Sequence, residues 1–281
     1  MINFSKMHGA GNDFVIVTAG EVDGIDYSAL AKEVCDRHFG IGADGLMIVD
    51  ESKTSDVRMH YYNSDGSLGE MCGNGIRCFS RFTYEKGIVN KEVFTVETLA
   101  GEKIINLTVA EDGKAEKILV DMGIPSIEAT DVPVNTEKQS FINEEITVDE
   151  TSLKVSSILM GVPHTIIFTE DLTEDIVYKY GPVIEKKNIY PRKTNVNFVQ
   201  IIDSEFMKVD TWERGAGKTL ACGTGVCASV FVANLLNYVG KKVLVNVPGG
   251  KLNITIDNNN RVFMEGTAKL ICDGKYYFNK K

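Results

Sequence analysis

Short apolar and β-branched runs, four to six residues long, recur along the chain: Phe14 to Thr18, Leu46 to Val49, Val93 to Val96, Ile104 to Val109, Thr165 to Phe168, Phe198 to Ile202, Val243 to Val247 and Leu252 to Ile256. Runs of this length bounded by glycine, asparagine and charge predict strands. Two other stretches predict helices. In the first, Ile76, Phe79 and Phe82 recur every third residue until Gly87; in the second, Val226 to Leu236 is apolar nearly all round until Gly240. A helix apolar on every side is a buried one. Many strands and few helices predict an α+β chain with mostly antiparallel strands.

The pattern also repeats. At an offset of 150 residues, Cys72-Gly73-Asn74-Gly75 falls on Cys222-Gly223-Thr224-Gly225. Asn63 and Glu213, each nine residues before its cysteine, coincide, as do Gly11 with Gly161 and Phe14 to Val17 with His164 to Ile167. Two copies of one fold explain this economically. The expected fold is two pseudo-symmetric domains, each a mainly antiparallel sheet or barrel wrapped around a central helix. Their expected limits are 1-118 with 265-281, and 119-264. A weaker echo relates Lys117 to Asp121 with Lys269 to Asp273, which would let the C-terminal segment complete the first domain.

Composition narrows the function. The 281 residues carry 30 basic and 39 acidic side chains, a net charge of -9 with no basic patch, which disfavours nucleic acid as a partner. The longest apolar helical stretch, Val226 to Val239, falls short of the ~20 residues that cross a bilayer. Met1 to Lys6 lacks the basic start and apolar core of an export signal, so a cytoplasmic location and reduced thiols are expected. His8, His38, His60 and His164 match no metalloprotease spacing and no cysteine pair matches a zinc knuckle, so no metal is expected.

Each Cys-Gly-x-Gly opens one of the two core helices. A helix start presents unpaired backbone N–H groups and a partial positive charge, which bind anions and lower a thiol's pKa. One such cysteine is readily explained as packing, since cysteine is a small residue often buried. Two in register, with matched polar residues upstream, point to chemistry. Racemising an amino acid requires a base on one face of the α-carbon and an acid on the other. Cys72 and Cys222 meet that need if both helix starts face one interdomain cleft, where their N–H groups would also stabilise the charge building on the substrate carboxylate. No cofactor is then required. Cys35, Cys78, Cys227 and Cys272 lack this symmetry and are read as structural.

Met7-His8-Gly9-Ala10-Gly11-Asn12-Asp13-Phe14, Asn63-Ser64-Asp65-Gly66-Ser67 with Met71-Cys72-Gly73-Asn74-Gly75-Ile76-Arg77, and Glu213-Arg214-Gly215-Ala216-Gly217 with Ala221-Cys222-Gly223-Thr224-Gly225 resemble the diaminopimelate epimerase family. The resemblance covers essentially the whole chain. It implies a cofactor-independent isomerase converting LL- to meso-diaminopimelate for lysine and peptidoglycan synthesis. It also implies that Gly73, Asn74, Gly223 and Thr224 hold the reacting carboxylate, with Asn12 beside it. Asn63, Asn195, Glu213 and Arg214 would recognise the distal amino-acid group, Arg214 pairing its carboxylate and Glu213 its ammonium. His164 would support the site. The expected partner is a small amino acid; a homodimer is allowed by the sequence but not required by it.

The chain departs from the family at Val162, before Pro163-His164, where an asparagine is usual, and at Gly45, where glutamine is common. The first departure keeps a racemase of another amino acid open as an alternative, and a non-catalytic amino-acid binder would be a third reading, disfavoured by retention of both thiols. Gly40-Ile41-Gly42-Ala43-Asp44-Gly45 spells a dinucleotide-binding pattern but precedes a strand instead of following one. Gly215 to Thr219 resembles the end of a P-loop, but Trp212 stands where its first glycine should be, leaving Lys218 as a loop lysine. Arg77 and Arg81 read as structural charges on one helix face.

Overall fold

The computed structural model describes residues 1–278 and divides the chain into two compact units, Met1–Val120 with the chain from Glu265 on, and Asp121–Met264. The first contains β1 (Ile2–Gly9), β2 (Asn12–Thr18), α1 (Tyr27–Cys35), β3 (Gly45–Asp50), β4 (Val57–Asn63), β5 (Leu68–Gly69), α2 (Gly73–Glu85), β6 (Val93–Thr98), β7 (Gly101–Val109) and the start of β8 (Ala115–Gly123). The second contains β9 (Phe141–Val148), β10 (Thr151–Met160), β11 (Val162–Phe168), α3 (Glu174–Glu185), β12 (Asn195–Ile201), β13 (Phe206–Glu213), β14 (Gly217–Thr219), α4 (Gly223–Leu235), β15 (Lys242–Val247), β16 (Gly250–Ile256) and most of β17 (Val262–Gly266). The last strand, β18 (Lys269–Tyr276), returns to the first unit and pairs antiparallel with β1.

The pairings repeat element for element. β1–β2 and β10–β11 are antiparallel hairpins; β2–β3 and β11–β12 are parallel and joined through α1 and α3 respectively; β3–β4 and β12–β13 are antiparallel. β4 and β13 each bind a short antiparallel strand and then a parallel one, β6 or β15. The strands are thus mainly antiparallel, with parallel pairs where a helix intervenes. β2 and β11 are 150 residues apart end to end, and so are α2 and α4. The echo between Lys117 to Asp121 and Lys269 to Asp273 does not follow this repeat: the former lies in β8, paired with β7, and the latter in β18, paired with β1.

α2 packs on β1, β2 and β3, and α4 packs on β10, β11, β12, β13 and β16. Ile76 and Phe79 are fully buried and Phe82 nearly so, while α4 buries Val226, Cys227, Ala228, Val230, Val232 and Ala233 around its circumference. Each valine, isoleucine or phenylalanine side chain so withdrawn from water contributes about 1.5–3 kcal/mol. α2 stops where Gly87 takes φ +70° and donates its N–H to Tyr84. α4 stops at Asn237, φ +61°, which donates to Asn234, and not at Gly240 as the pattern suggested. Asparagine is the usual substitute for glycine in a left-handed helix terminus, and the position is again 150 residues on.

Several strands escaped the pattern because polar and charged residues interrupt their apolar alternation. β13 carries Lys208 and Asp210 and β1 carries Asn3 and Lys6, yet both are central to their units. α1 is capped by Asp26, whose carboxylate accepts from Ser28 and Ala29 N–H at 2.9 and 3.4 Å, an arrangement worth about 1 kcal/mol.

Candidate functional site

In the first unit Cys72 is the N-cap of α2, with extended backbone. Its sulfur accepts the Gly75 N–H at 3.4 Å, and its thiol donates to Asn12 Oδ1 at 3.6 Å. An N–H donor stabilises the thiolate and the amide oxygen favours the thiol, so the position suits a sulfur that exchanges a proton. Asn12, first residue of β2, is held in turn by Asp44, which accepts from its Nδ2 at 2.6 Å and from Arg37 at 2.7 Å. Nearby Asp13, bonded by Arg37 and Lys6, is held below the usual carboxylate range despite the opposing effect of its burial, the largest single influence.

Gly73 and Asn74 lie buried in the first turn. Arg77, wholly buried, donates to Gly73 O and Asn74 Oδ1, each at 3.0 Å, and to Thr267 O at 3.2 Å. Arg81 likewise donates to Ala268 O and Glu85. These arginines fasten the returning C-terminal segment to α2. Asn63, at the end of β4, accepts from Tyr61 OH at 2.7 Å and donates to Ser67 Oγ at 2.9 Å. Gly45 has a local explanation: a Cβ there would lie 2.7 Å from the Tyr61 ring, which fills the space a longer side chain would need.

In the second unit Cys222 caps α4 and is buried, its sulfur 3.5 Å from Thr224 Oγ1. Gly223 and Gly225 are buried beside it, and a Cβ on Gly225 would lie 2.2 Å from Asn197 Oδ1. Asn197 also accepts from Thr211 at 3.1 Å and donates to His164 Nδ1 at 3.2 Å. Accepting at Nδ1 places the ring proton on Nε2, which has no partner among the described residues. Burial, with a smaller push from the Arg214 charge, lowers the His164 pKa to about 3, so the ring is neutral at physiological pH. Val162 begins β11 as Asn12 begins β2, and supplies no side-chain donor or acceptor there.

Asn195, which the family resemblance implies is a substrate contact, is largely engaged by the chain itself: it donates to Pro163 O at 3.1 Å and accepts the Arg214 N–H at 2.8 Å. Glu213 Oε1 accepts from Thr219 at 2.6 Å, and Arg214 Nη1 donates to Arg192 O at 3.0 Å. Lys218 is no loop lysine; it lies on β14, mostly buried, paired with Glu174 and 3.7 Å from Asp210. Gly40 to Gly45 run from α1 into β3, the helix-to-strand order that a dinucleotide site does not have. Asn197, Thr211 and Asp44 were not singled out from the sequence. The i, i+2 spacing of Asn195 and Asn197, which puts both on one face of a strand, was the signal available in the sequence, and both are buried. No cluster of three or more metal-ligating side chains occurs among the described residues, and none of their helices is long and apolar enough to cross a membrane.

The model of the family described as diaminopimelate epimerase matches residues 4–128 and 156–271. A diaminopimelate epimerase of Alkaliphilus metalliredigens is 51% identical, over 98% of this chain and 97% of the relative. One from Caldanaerobacter subterraneus is 46% identical, over 98% and 99%. Among solved structures, a probable proline racemase from Agrobacterium radiobacter K84, with bound carbonate, superposes with a TM-score of 0.75 at 14% identity, covering 99% of this chain and 94% of its own; that likeness is one of fold.

Proposed function

The chain belongs to the diaminopimelate epimerase family, and from that membership we propose that it interconverts LL- and meso-diaminopimelate by a two-base reaction at Cys72 and Cys222. One sulfur, as thiolate, takes the α-proton; the other, as thiol, returns a proton to the opposite face, and the roles exchange in the reverse direction. The observation that carries this reading is the repeated placement of a cysteine as N-cap of a buried helix with glycine next to it. The N–H groups of those first turns, at Gly73 and Asn74 and at Gly223 and Thr224, supply donors for the substrate carboxylate as negative charge develops on it. Asn12, bonded to Cys72, lies beside the reacting centre in this scheme.

Arg214 and Glu213 are assigned to the distal carboxylate and ammonium, and Asn63 with Asn195 supports that end. His164 is a neutral buttress in this scheme, because a ring with a pKa near 3 does not take up a second proton at neutral pH. The protons move between sulfur and carbon, so the reaction draws on no cofactor. A cytoplasmic, reducing setting suits two working thiols.

Incubating the protein in deuterium oxide with each diaminopimelate stereoisomer tests the proposal. Deuterium should enter the α-position of the LL and meso forms without pyridoxal phosphate or metal. A folded protein that exchanges neither would sink the substrate assignment. Val162 favours one second reading, an epimerase of another amino acid on the same two-thiol scheme, and exchange into a different member of an amino-acid panel would reveal it.

A further inference from the structure

Glu185, the last residue of α3, is 3% exposed. A carboxylate buried this deeply must be hydrogen-bonded to be tolerated. Its two oxygens are divided between two donors: Oε2 accepts the indole N–H of Trp212 at 2.8 Å, and Oε1 accepts the backbone N–H of Gly215 at 3.2 Å. Lys193 Nζ stands 3.8 Å from Oε1. Gly181 brings α3 this close, since a Cβ there would lie 2.6 Å from Trp212 Cβ. The helix is therefore pressed onto the strand that carries Trp212, Glu213 and the turn beyond.

The two N–H groups on either side of Arg214 Cα are both captured by buried side chains. Asn195 Oδ1 accepts the N–H of Arg214 itself, at 2.8 Å, and Glu185 accepts that of Gly215. Fixing both flanking peptide planes fixes φ and ψ of Arg214, and hence the direction in which its side chain leaves the backbone. Gly215 then takes φ +79° to turn the chain toward β14. The corresponding turn of the first unit, Asn63 to Ser67, is tied instead by Ser64 N–H to the Asp44 carbonyl, and the position 150 residues before Glu185 is Cys35. A buried carboxylate at this place thus belongs only to the copy that carries an arginine in its turn.

We propose that Glu185 is a positioning residue for substrate recognition, acting through Arg214 to set affinity for the distal amino-acid head while leaving proton transfer untouched. The inference rests on the assignment of Arg214 to that head. Asn195, its partner in holding the turn, works the same way from the other side.

Steady-state epimerisation of diaminopimelate by Glu185→Gln, Trp212→Phe, Arg214→Ala and the Glu185→Gln/Arg214→Ala double variant tests it. Gln keeps one acceptor but turns an N–H₂ toward one of the two donors, so KM should rise about tenfold, with kcat within about threefold of the parent. In the Arg214→Ala background the same change should move KM less than about twofold, because nothing remains to be aimed. Trp212→Phe frees one carboxylate oxygen and should raise KM about threefold; it decides the matter if Glu185→Gln fails to fold, an unchanged KM counting against the inference. A Glu185→Gln enzyme with reduced kcat and parental KM, or with the same KM rise whether or not Arg214 is present, would overturn the positioning role alone. An Arg214→Ala enzyme with parental KM would overturn the assignment of Arg214, and the inference with it.

Discussion

The two helix starts share a backbone but rest on different floors. Beneath α2, Phe14 is wholly buried and the Met47 methyl lies where a Cβ on Gly75 would be, 1.8 Å away. Beneath α4, the residues 150 positions on are His164 and Asn197, joined with Thr211 in a buried hydrogen-bond network. The repeat has kept the cysteine, the glycines and the helix, which create the N–H-lined terminus, and has exchanged a thioether and a phenyl ring for an amide and an imidazole. Above these floors Cys72 meets a backbone N–H and an amide oxygen, and Cys222 meets a hydroxyl. Under the proposed two-base scheme, sulfurs that alternate as acid and base need equivalent reach but not equivalent surroundings.

The largest effect should come from removing either sulfur. Cys72→Ala and Cys222→Ala should each lower the rate of stereoinversion on the order of 10³-fold, the range over which a positioned proton carrier acts. Circular dichroism should be unchanged. A variant retaining near-normal turnover would break the equivalence of the two cysteines at its root.

Next comes acid. His164 is neutral when folded down to pH about 3, whereas an unfolded histidine titrates near 6.5. Between these values the unfolded chain binds a proton that the folded chain refuses, so this ring's effect is nil above pH 6.5 and destabilises progressively as pH falls. The loss amounts to about 3 kcal/mol by pH 4, at roughly 1.4 kcal/mol per pH unit. Replacing it with the phenyl ring of the other copy, His164→Phe, should flatten that part of the pH dependence. Urea midpoints at pH 7 and pH 4.5 for both proteins would show it; parallel shifts would mean that His164 is not the source.

How much of this was legible in the sequence follows from the same contrast. The cysteines, glycines and helices repeat because backbone geometry demands particular residues, and that periodicity is visible in one chain. The floors are not visible, because Phe14 and His164, or Met47 and Asn197, look unrelated until the repeat is imposed. β13 was missed because Asp210 and Thr211 interrupt its apolar alternation, though both are buried. Glu185 gave no signal at all: a glutamate at a helix end reads as surface, and only Gly181 against Trp212 shows why it is inside. Asn195 was picked out through family resemblance as a substrate contact, whereas much of its amide holds the backbone of the residue that is to make one.

Exchanging single floor residues sharpens the comparison further. Asn197→Met would place the thioether of the first unit under α4 and leave Thr211 Oγ1 and His164 Nδ1 without their partner, costing about 2 kcal/mol of stability. The reciprocal Met47→Asn would bury an amide beneath Gly75 and cost about as much or more. Both are measured as shifts in urea midpoint. If Asn197→Met were neutral, the network would be incidental to folding and would have to be explained by activity alone.

The smallest and most discriminating test compares the two glycines. A Cβ at position 75 meets the methyl end of Met47, a flexible side chain that can swing aside; one at 225 meets Asn197 Oδ1 at 2.2 Å, an atom held by Thr211. Gly75→Ala should therefore cost about 1 kcal/mol and Gly225→Ala about 2 kcal/mol, within the range for overpacking. Activity should diverge in the same direction, because displacing Asn197 disturbs the first turn that follows Cys222, while a rotated Met47 leaves the Gly75 N–H on the Cys72 sulfur. Measuring urea midpoint and turnover on both variants decides whether the polar floor is the stiffer of the two; equal losses would show that the glycines answer to the helix backbone and not to what lies beneath it.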